Sequence, residues 1–154
     1  MKVPIFDLRV TNKSIRDELH HSLEKVLNKG RLFLGDQVDE LEQKVAKYLD
    51  VKYAIGVSSG SSAIYLALRS SGIKKNDEVI TTPLSWIIPS NAIVAAKAIP
   101  VFADVRNDFN IDPDSINFNI TSKTKAILPM HYAGHMCEMK KIKKIANKNN
   151  LKII

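Results

Sequence analysis

Cysteine is nearly absent from this sequence, and glycine, proline and long apolar runs are also scarce. The single Cys137 excludes an intramolecular disulfide framework and cannot by itself form a zinc cage. Six glycines and six prolines in 154 residues exclude a collagen-like fibre and a low-complexity linker. The remaining composition, 45% hydrophobic and 25% charged, is that of a globular chain and excludes a disordered tail.

Neither a membrane helix nor a secretory leader is indicated. The uncharged stretch 80–96 is interrupted by two prolines and is shorter than the roughly 20 apolar residues of a membrane helix. The opening MKVPIFDLRV places Pro4 and Asp7 where a signal peptide needs an apolar run. We therefore expect a soluble, cytoplasmic protein without a membrane partner.

The net charge of +7 is concentrated near the end of the chain. Residues 1–120 carry fifteen basic and fifteen acidic side chains, whereas residues 121–154 carry eight lysines and one acid, Glu138. Most of these lysines alternate with apolar residues at helical spacing, namely Met139, Ile142, Ile145 and Ala146. The lysines are interpreted as the solvated face of a helix. Because no aromatic residues interleave with them, no nucleic-acid partner is expected.

Two helices are predicted first, over 14–30 and 36–50, and strands and helices alternate after them. Ser14 and Asp36 are interpreted as N-caps. Strands are predicted at YAIGVSS, EVITTP, IPVFADV, KAILPMH and LKII. A helix is expected to begin at Trp86, directly after a capping Ser85.

Strands separated by helix-length segments favour a mostly parallel sheet. The apolar runs Ile99–Val105 and Ala126–Met130 suit strands that helices cover on both faces. The predicted fold class is therefore α/β, with three αβα layers. Because ligands of open α/β sheets bind beyond the carboxyl ends of strands, a chain that stops at LKII is expected to be a fragment of a longer protein.

A serine-rich turn, Ser58–Ser62, follows one predicted strand and opens a helix. Free backbone N–H groups and hydroxyls at a helix N-terminus form a cradle for an anion such as a phosphate monoester. Gly60 would permit close backbone approach or a positive φ. The segment is neither a P-loop nor GxGxxG. An ordinary N-cap turn is the alternative, and the residues alone leave both interpretations open.

Trp86, the single tryptophan, follows the next predicted strand. A phosphate cradle and a flat aromatic face at neighbouring strand ends together suit a phosphorylated planar heterocycle. The alternative is that Trp86 anchors a core or an interface.

The segment MHYAGH follows a third strand and carries His131 and His135. A metal would need further ligands, of which Cys137 and Glu138 are nearest. We interpret His131 instead as a hydrogen-bonded structural residue or a substrate contact, and we expect no metal site.

The segments VKYAIGVSSGSSAIYLALRSSG, EVITTPLSW, NIDPDSI, HYAGH and LKII together resemble the DegT/DnrJ/EryC1/StrS aminotransferases. The resemblance implies the large domain of the aspartate-aminotransferase (type I) fold, with pyridoxal 5'-phosphate as cofactor. It further implies that Gly60, Ser61 and Ser62 bind the cofactor phosphate and that Trp86 stacks on the pyridine ring. His131 and Tyr132 would lie near the substrate.

The resemblance also implies that no catalytic residue lies within this chain. The acidic partner of the pyridinium nitrogen and the Schiff-base lysine are expected beyond Ile154. Residues 1–50 would form an N-terminal helical segment and residues 51–154 an incomplete cofactor-binding large domain, inactive by itself. A homodimer is expected for the full-length protein.

The implied reaction transfers an amino group, with glutamate as donor, to a nucleotide-linked keto-sugar. Such amino-sugars enter polysaccharide, lipopolysaccharide or glycan biosynthesis. Two alternatives stay open. One is a sugar dehydratase of the same fold with histidine in place of the Schiff-base lysine, and the other is a non-catalytic, truncated remnant.

Overall fold

Four strands form one parallel sheet. The computed structural model describes Asp7 and residues 9–154. The strands are β1 (Glu78–Thr81), β2 (Ile99–Phe102), β3 (Thr124–Leu128) and β4 (Lys152–Ile153). Their spatial order is β2-β1-β3-β4, and every neighbouring pair is parallel. The structure thus confirms the α/β class and the parallel sheet that the sequence predicted.

Six α-helices lie in the described part of the chain. They are α1 (Lys13–Lys29), α2 (Asp36–Tyr48), α3 (Gly60–Ser70), α4 (Ile88–Ala95), α5 (Pro113–Phe118) and α6 (Met139–Lys148). Among the described residues, no helix is both long and apolar enough to cross a membrane. The chain divides into two compact units, Met1–Gly56 with α1 and α2, and Val57–Ile154 with the sheet and the other helices.

Alternation along the strands gives the sheet two buried faces. On one face Val79, Ala126 and Leu128 pack in a cluster with Leu68 of α3 and Ile93 of α4. Ile80 and Ile127 directly follow Val79 and Ala126 along the strands, so their side chains point to the opposite face and pack there. Helices therefore cover both faces, which confirms the three layers.

The second cluster joins Ile80 and Ile127 to α5 and α6 through Ile116 and Ile142. The lysine-rich helix is α6, and it buries Ile142 and Ala146 while Lys140, Lys141, Lys143, Lys144 and Lys148 are exposed. This arrangement matches the solvated lysine face that the spacing predicted.

Three local predictions were wrong, one because a strand needs a partner and two because neighbouring residues compete for a helix cap. Residues 53–59 pair with no described strand, and a strand needs a neighbour to satisfy its backbone groups. The N-cap of α1 is Asn12, whose side chain accepts from Ile15 N, and not Ser14. Gly35 precedes α2, and Asp36 instead forms an ion pair with Lys29.

The run Ile99–Val105 is not buried on both faces. Its strand, β2, pairs with β1 alone among the described strands and therefore lies at an edge of the sheet. Ile99 and Phe102 are 43% and 48% exposed. The run Ala126–Leu128, in contrast, lies on a central strand and is buried as expected.

Helix α4 begins two residues later than predicted. Pro89 lies in its first turn, where a missing N–H costs no helical hydrogen bond, and the helix begins at Ile88. Ser85 does not cap the helix, and its hydroxyl contacts Met130 Sδ at 2.9 Å. Trp86 therefore lies in the connection between β1 and α4.

We predict that Ile127→Ala lowers the free energy of unfolding by about 2–5 kcal/mol, because the side chain is fully buried on a central strand. Ile99→Ala, on the exposed edge strand, is the matched control and should cost less than half as much. Urea denaturation of the full-length protein measures both values. Equal losses for the two variants would contradict the described layering.

Candidate functional site

A cavity of about 650 Å³ lies at the carboxyl ends of the two central strands. Thr81 of β1 and Leu128 of β3 form part of its wall, together with Ile64 and Ala67 of α3 and Pro89 of α4. Gly60, Ser61 and Trp86 also line it. We call this the strand-end cavity, and it brings together two residues of the serine-rich turn, Gly60 and Ser61, and the tryptophan that the sequence singled out.

The first turn of α3 carries several polar groups, of which Gly60 and Ser61 line this cavity and Ser62 lines a neighbouring hollow. Ser59 is the N-cap, and its hydroxyl accepts from Ser62 N at 3.2 Å. The amides of Gly60 and Ser61 donate to no acceptor within the described residues. The Ser62 hydroxyl lies 3.0 Å from the Ser58 hydroxyl and 3.1 Å from that of Ser59. Two free amides and linked hydroxyls thus meet at the positive end of a helix.

Gly60 leaves open space at this turn. A Cβ placed on Gly60 would meet no atom within 4 Å among the described residues, so the glycine is not required by packing there. Its φ also lies outside the left-handed region, which excludes the positive-φ interpretation. The remaining interpretation is close approach, in which a ligand uses the space that a side chain would occupy.

Trp86 presents its ring to solvent and to the cavity at once. The residue is 85% exposed, which excludes a core position within the described structure. It also lines a second hollow of about 550 Å³, together with Leu84, Ser85, Met130 and Tyr132. We call this second space the tyrosine hollow. Ser85, Trp86 and Met130 line both spaces, so they form the boundary between them.

His131 and Tyr132 follow β3, and the structure places them differently. Tyr132 and Trp86 both line the tyrosine hollow. His131 is exposed, and its Nδ1 accepts from Cys137 N at 3.2 Å, a contact that helps to close the loop 131–137. The hydrogen-bonded interpretation of His131 is therefore the one that its described contact supports.

Sequence reasoning missed Asn110. This residue is 1% exposed, and its Oδ1 accepts from Tyr132 N at 3.0 Å and from Cys137 Sγ at 3.4 Å. Its phenylalanine neighbour, Phe109, packs on the Tyr132 ring with the centroids 5.3 Å apart. The sequence signal was Asn110 itself, the first residue of the segment NIDP. An asparagine beside a turn or a helix cap is usually explained by hydrogen bonds to its own neighbours, so it did not stand out.

An ion pair and a histidine–carboxylate contact join the same two loops. Arg106 pairs with Glu138 at 2.6 Å, and Asp108 lies 3.6 Å from His135 Nε2. Lys141, in the first turn of α6, adds a contact of 2.9 Å to Glu138. The Lys141 and Arg106 cations lower the pKa of Glu138, and the carboxylate is therefore held ionised.

The residues considered as metal ligands have other partners. Cys137 is buried and its Sγ donates to Met130 O at 3.1 Å, and burial raises the pKa of its thiol. Glu138 pairs with Arg106 and Lys141, and His135 contacts Asp108. Across Asp7 and 9–154, no group of three histidine, cysteine or acidic side chains is placed to hold a metal ion.

The strand-end cavity defines a class of binding site. Its polar end offers free amides for an anion, and its apolar wall and the Trp86 ring offer contact to a flat, unsaturated ring. Its position beyond the carboxyl ends of parallel strands is the usual ligand position of open α/β sheets. The site is therefore suited to a small, planar, phosphorylated ligand.

The chain belongs to the DegT/DnrJ/EryC1/StrS aminotransferase family, which it matches over residues 13–154. Among curated relatives, it is 41% identical over 153 residues to dTDP-3-amino-3,6-dideoxy-alpha-D-galactopyranose transaminase of Aneurinibacillus thermoaerophilus. It is 34% identical over 154 residues to dTDP-3-amino-3,4,6-trideoxy-alpha-D-glucose transaminase of Streptomyces venezuelae. Each match covers 99% of this chain, and 42% and 41% of the two relatives respectively. The chain thus spans about two fifths of the length of these relatives.

Solved structures show the same similarity. NtdA from Bacillus subtilis, with bound cofactor PMP, superposes with a TM-score of 0.93 at 34% identity, covering 99% of this chain and 35% of that one. A GDP-4-keto-6-deoxymannose-3-dehydratase superposes with a TM-score of 0.82 at 29% identity, covering 88% and 37%. The expected α/β fold, similar to that of pyridoxal-phosphate aminotransferases, is confirmed.

We predict that Cys137 reacts with iodoacetamide at least about tenfold more slowly in the folded protein than in concentrated urea, at mildly alkaline pH. Burial limits access to the thiol and raises its pKa, so less thiolate is present. Mass spectrometry of the Cys137 peptide measures the rate. Equal rates in both conditions would show that the loop 131–137 does not bury this thiol.

Proposed function

We propose that the full-length protein containing this chain is a pyridoxal 5'-phosphate-dependent aminotransferase that acts on a nucleotide-linked keto-sugar. The observation that carries the proposal is the strand-end cavity, where the free amides of Gly60 and Ser61 and the ring of Trp86 line one space. Family membership and the sugar transaminases among the relatives support the same reaction.

The residues present fit this cofactor. The open space at Gly60 admits a phosphate to the first turn of α3, and the two free amides and the Ser62 hydroxyl can donate to its oxygens. No lysine or metal is needed there, because the helix N-terminus itself favours an anion. The cavity volume of about 650 Å³ accommodates a small phosphorylated ring.

Each residue has a distinct role in this proposal. Gly60, Ser61 and Ser62 hold the phosphate, while Trp86 stacks on the pyridine ring and fixes its plane. Bound cofactor supplies an electron sink that allows an amino group to pass between two substrates. Met130 and Ser85, at the boundary with the tyrosine hollow, would lie between the cofactor and the sugar. The groups that transfer protons are expected outside this chain.

The tyrosine hollow suits the sugar part of the substrate. It adjoins the strand-end cavity through Trp86, so a bound sugar would lie beside the cofactor ring. Tyr132 is 36% exposed and can offer its hydroxyl to a sugar, and His131 lies at the same loop. We propose glutamate as the amino donor and a product destined for polysaccharide, lipopolysaccharide or glycan biosynthesis.

We propose a homodimer and a cytoplasmic enzyme, where nucleotide sugars and glutamate are both available. The partners are then the sugar nucleotide, the amino donor and a second copy of the protein. Nucleic acid and membrane surfaces have no part in the proposed reaction.

The test is the reaction itself. Full-length protein with pyridoxal 5'-phosphate, L-glutamate and a dTDP-linked keto-sugar should convert the ketone to an amine and release one 2-oxoglutarate per amine formed. Mass spectrometry of the sugar nucleotide and enzymatic assay of 2-oxoglutarate measure both products. A sugar that loses a hydroxyl group without gaining nitrogen would contradict this reaction and favour the dehydratase. No turnover with a panel of keto-sugars would favour the non-catalytic remnant.

We predict that Trp86→Ala weakens binding of pyridoxal 5'-phosphate by about tenfold, since it removes the aromatic face of the cavity. Trp86→Phe is the matched control and should retain most of the affinity because it keeps a stacking ring. Equilibrium dialysis of the full-length protein measures the dissociation constants. Unchanged affinity in Trp86→Ala, with the fold intact by circular dichroism, would exclude the stacking role.

A further inference from the structure

We propose that Asn110 is a positioning residue that fixes Tyr132 at the edge of the tyrosine hollow. The proposal rests on the function proposed above and adds a residue that lines neither the strand-end cavity nor this hollow. Asn110 would act through the backbone of Tyr132 and would therefore determine how the sugar substrate is held.

Two loops that follow neighbouring strand ends are joined at this point. Residues 104–112 follow β2 and turn back on themselves, with Val105 and Ile111 forming an antiparallel bridge. Residues 130–138 follow β3. Asn110 lies in the first loop, and its side chain crosses to Tyr132 and Cys137 in the second, 22 and 27 residues away in sequence.

The orientation of the Asn110 amide follows from its partners. The Tyr132 N–H can only donate, so the atom that faces it must be the amide oxygen, because an NH₂ group there would bring two donors together. The Cys137 thiol has a single proton, shared between Asn110 Oδ1 and the nearer Met130 O, so it adds little to this assignment. The Tyr132 contact, at 3.0 Å, is the stronger of the two, since a thiol is a weak donor.

The hydrogen bond from Asn110 holds a backbone turn that contains an unfavourable conformation. Tyr132 begins the short helical turn Tyr132–Gly134, and the next residue, Ala133, has φ +48°. A non-glycine residue in this left-handed region is unfavourable and persists where its surroundings hold it. The Asn110 bond on one side of Ala133, and the His135 N–H to Tyr132 O bond of 2.8 Å on the other, hold the turn.

The stability that Asn110 itself contributes is limited. Its Nδ2 is buried and has no hydrogen-bond partner in the part of the chain that the structure describes. A buried donor without a partner opposes the gain from the two accepted bonds. A position that served packing alone would be better filled by an apolar side chain of similar size. The presence of an asparagine at position 110 is therefore explained by the hydrogen bond that its side-chain oxygen accepts from Tyr132 N–H.

Tyr132 is also held from its ring side. Phe109, which precedes Asn110, packs against the Tyr132 ring at 5.3 Å with the planes inclined by 46°. The loop 104–112 thus contacts both the backbone and the ring of Tyr132. Because Tyr132 lines the tyrosine hollow together with Trp86, its placement relative to a bound sugar depends on this loop.

The first test is hydrogen exchange of the Tyr132 amide in the full-length protein, and it requires no activity. The amide should be protected in the unmodified protein, and Asn110→Leu should accelerate its exchange by about tenfold, the effect of losing one hydrogen bond. Asn110→Asp, which keeps the acceptor oxygen, should restore protection. Cys137→Ala is the matched control, since it removes the second donor and leaves the Tyr132 contact in place.

The second test separates positioning from a general loss of structure. Asn110→Leu should raise KM for the sugar nucleotide by about fivefold to tenfold and leave the affinity for pyridoxal 5'-phosphate unchanged. Combined with Tyr132→Ala, it should add nothing to the effect of Tyr132→Ala alone, because both act through one residue.

Additive effects in this pair would overturn the proposal. So would rapid exchange of the Tyr132 amide in the unmodified protein, a result that does not depend on whether Asn110→Leu folds. If the protein catalyses no transamination, the proposed function fails, while the exchange measurements still decide whether Asn110 holds Tyr132.

Discussion

Parallel pairing of β1 and β3 is the constraint on which the candidate site depends. Because both strands run in the same direction, their carboxyl ends meet at one edge of the sheet, and the residues that follow them must share that edge. The buried Thr81 hydroxyl strengthens the pairing there by donating to Leu128 O at 2.9 Å. The connection that carries Trp86 and the loop that carries Tyr132 are neighbours for this reason.

The strand-end cavity and the tyrosine hollow are formed by different kinds of chain. The strand-end cavity is built by regular elements, the first turn of α3 and the ends of central strands, and its anion preference follows from backbone groups that any helix N-terminus offers. The tyrosine hollow is formed by irregular chain, whose loops are joined by the Asn110 hydrogen bond, the Arg106–Glu138 ion pair and the Asp108–His135 contact. In the proposed function, cofactor binding and substrate choice therefore fall to different parts of the structure.

Much of this arrangement could be predicted from the sequence. Alternating strands and helices indicated the parallel sheet, and the position of Gly60 and Trp86 after predicted strands indicated that they share a site. The caps of α1 and α2 and the start of α4 could not be fixed, because neighbouring residues compete for those positions. Residues 53–59 have the composition of a strand, but strand formation requires a partner that local sequence does not identify. Asn110 escaped notice because its partners lie 22 and 27 residues away.

The proposed cofactor site is tested most directly by a crystal structure of the full-length protein with pyridoxal 5'-phosphate. We expect the phosphate at the first turn of α3, within hydrogen-bond distance of the Gly60 and Ser61 amides, and the pyridine ring against Trp86. A cofactor bound elsewhere, with the strand-end cavity filled by other parts of the protein, would contradict this placement.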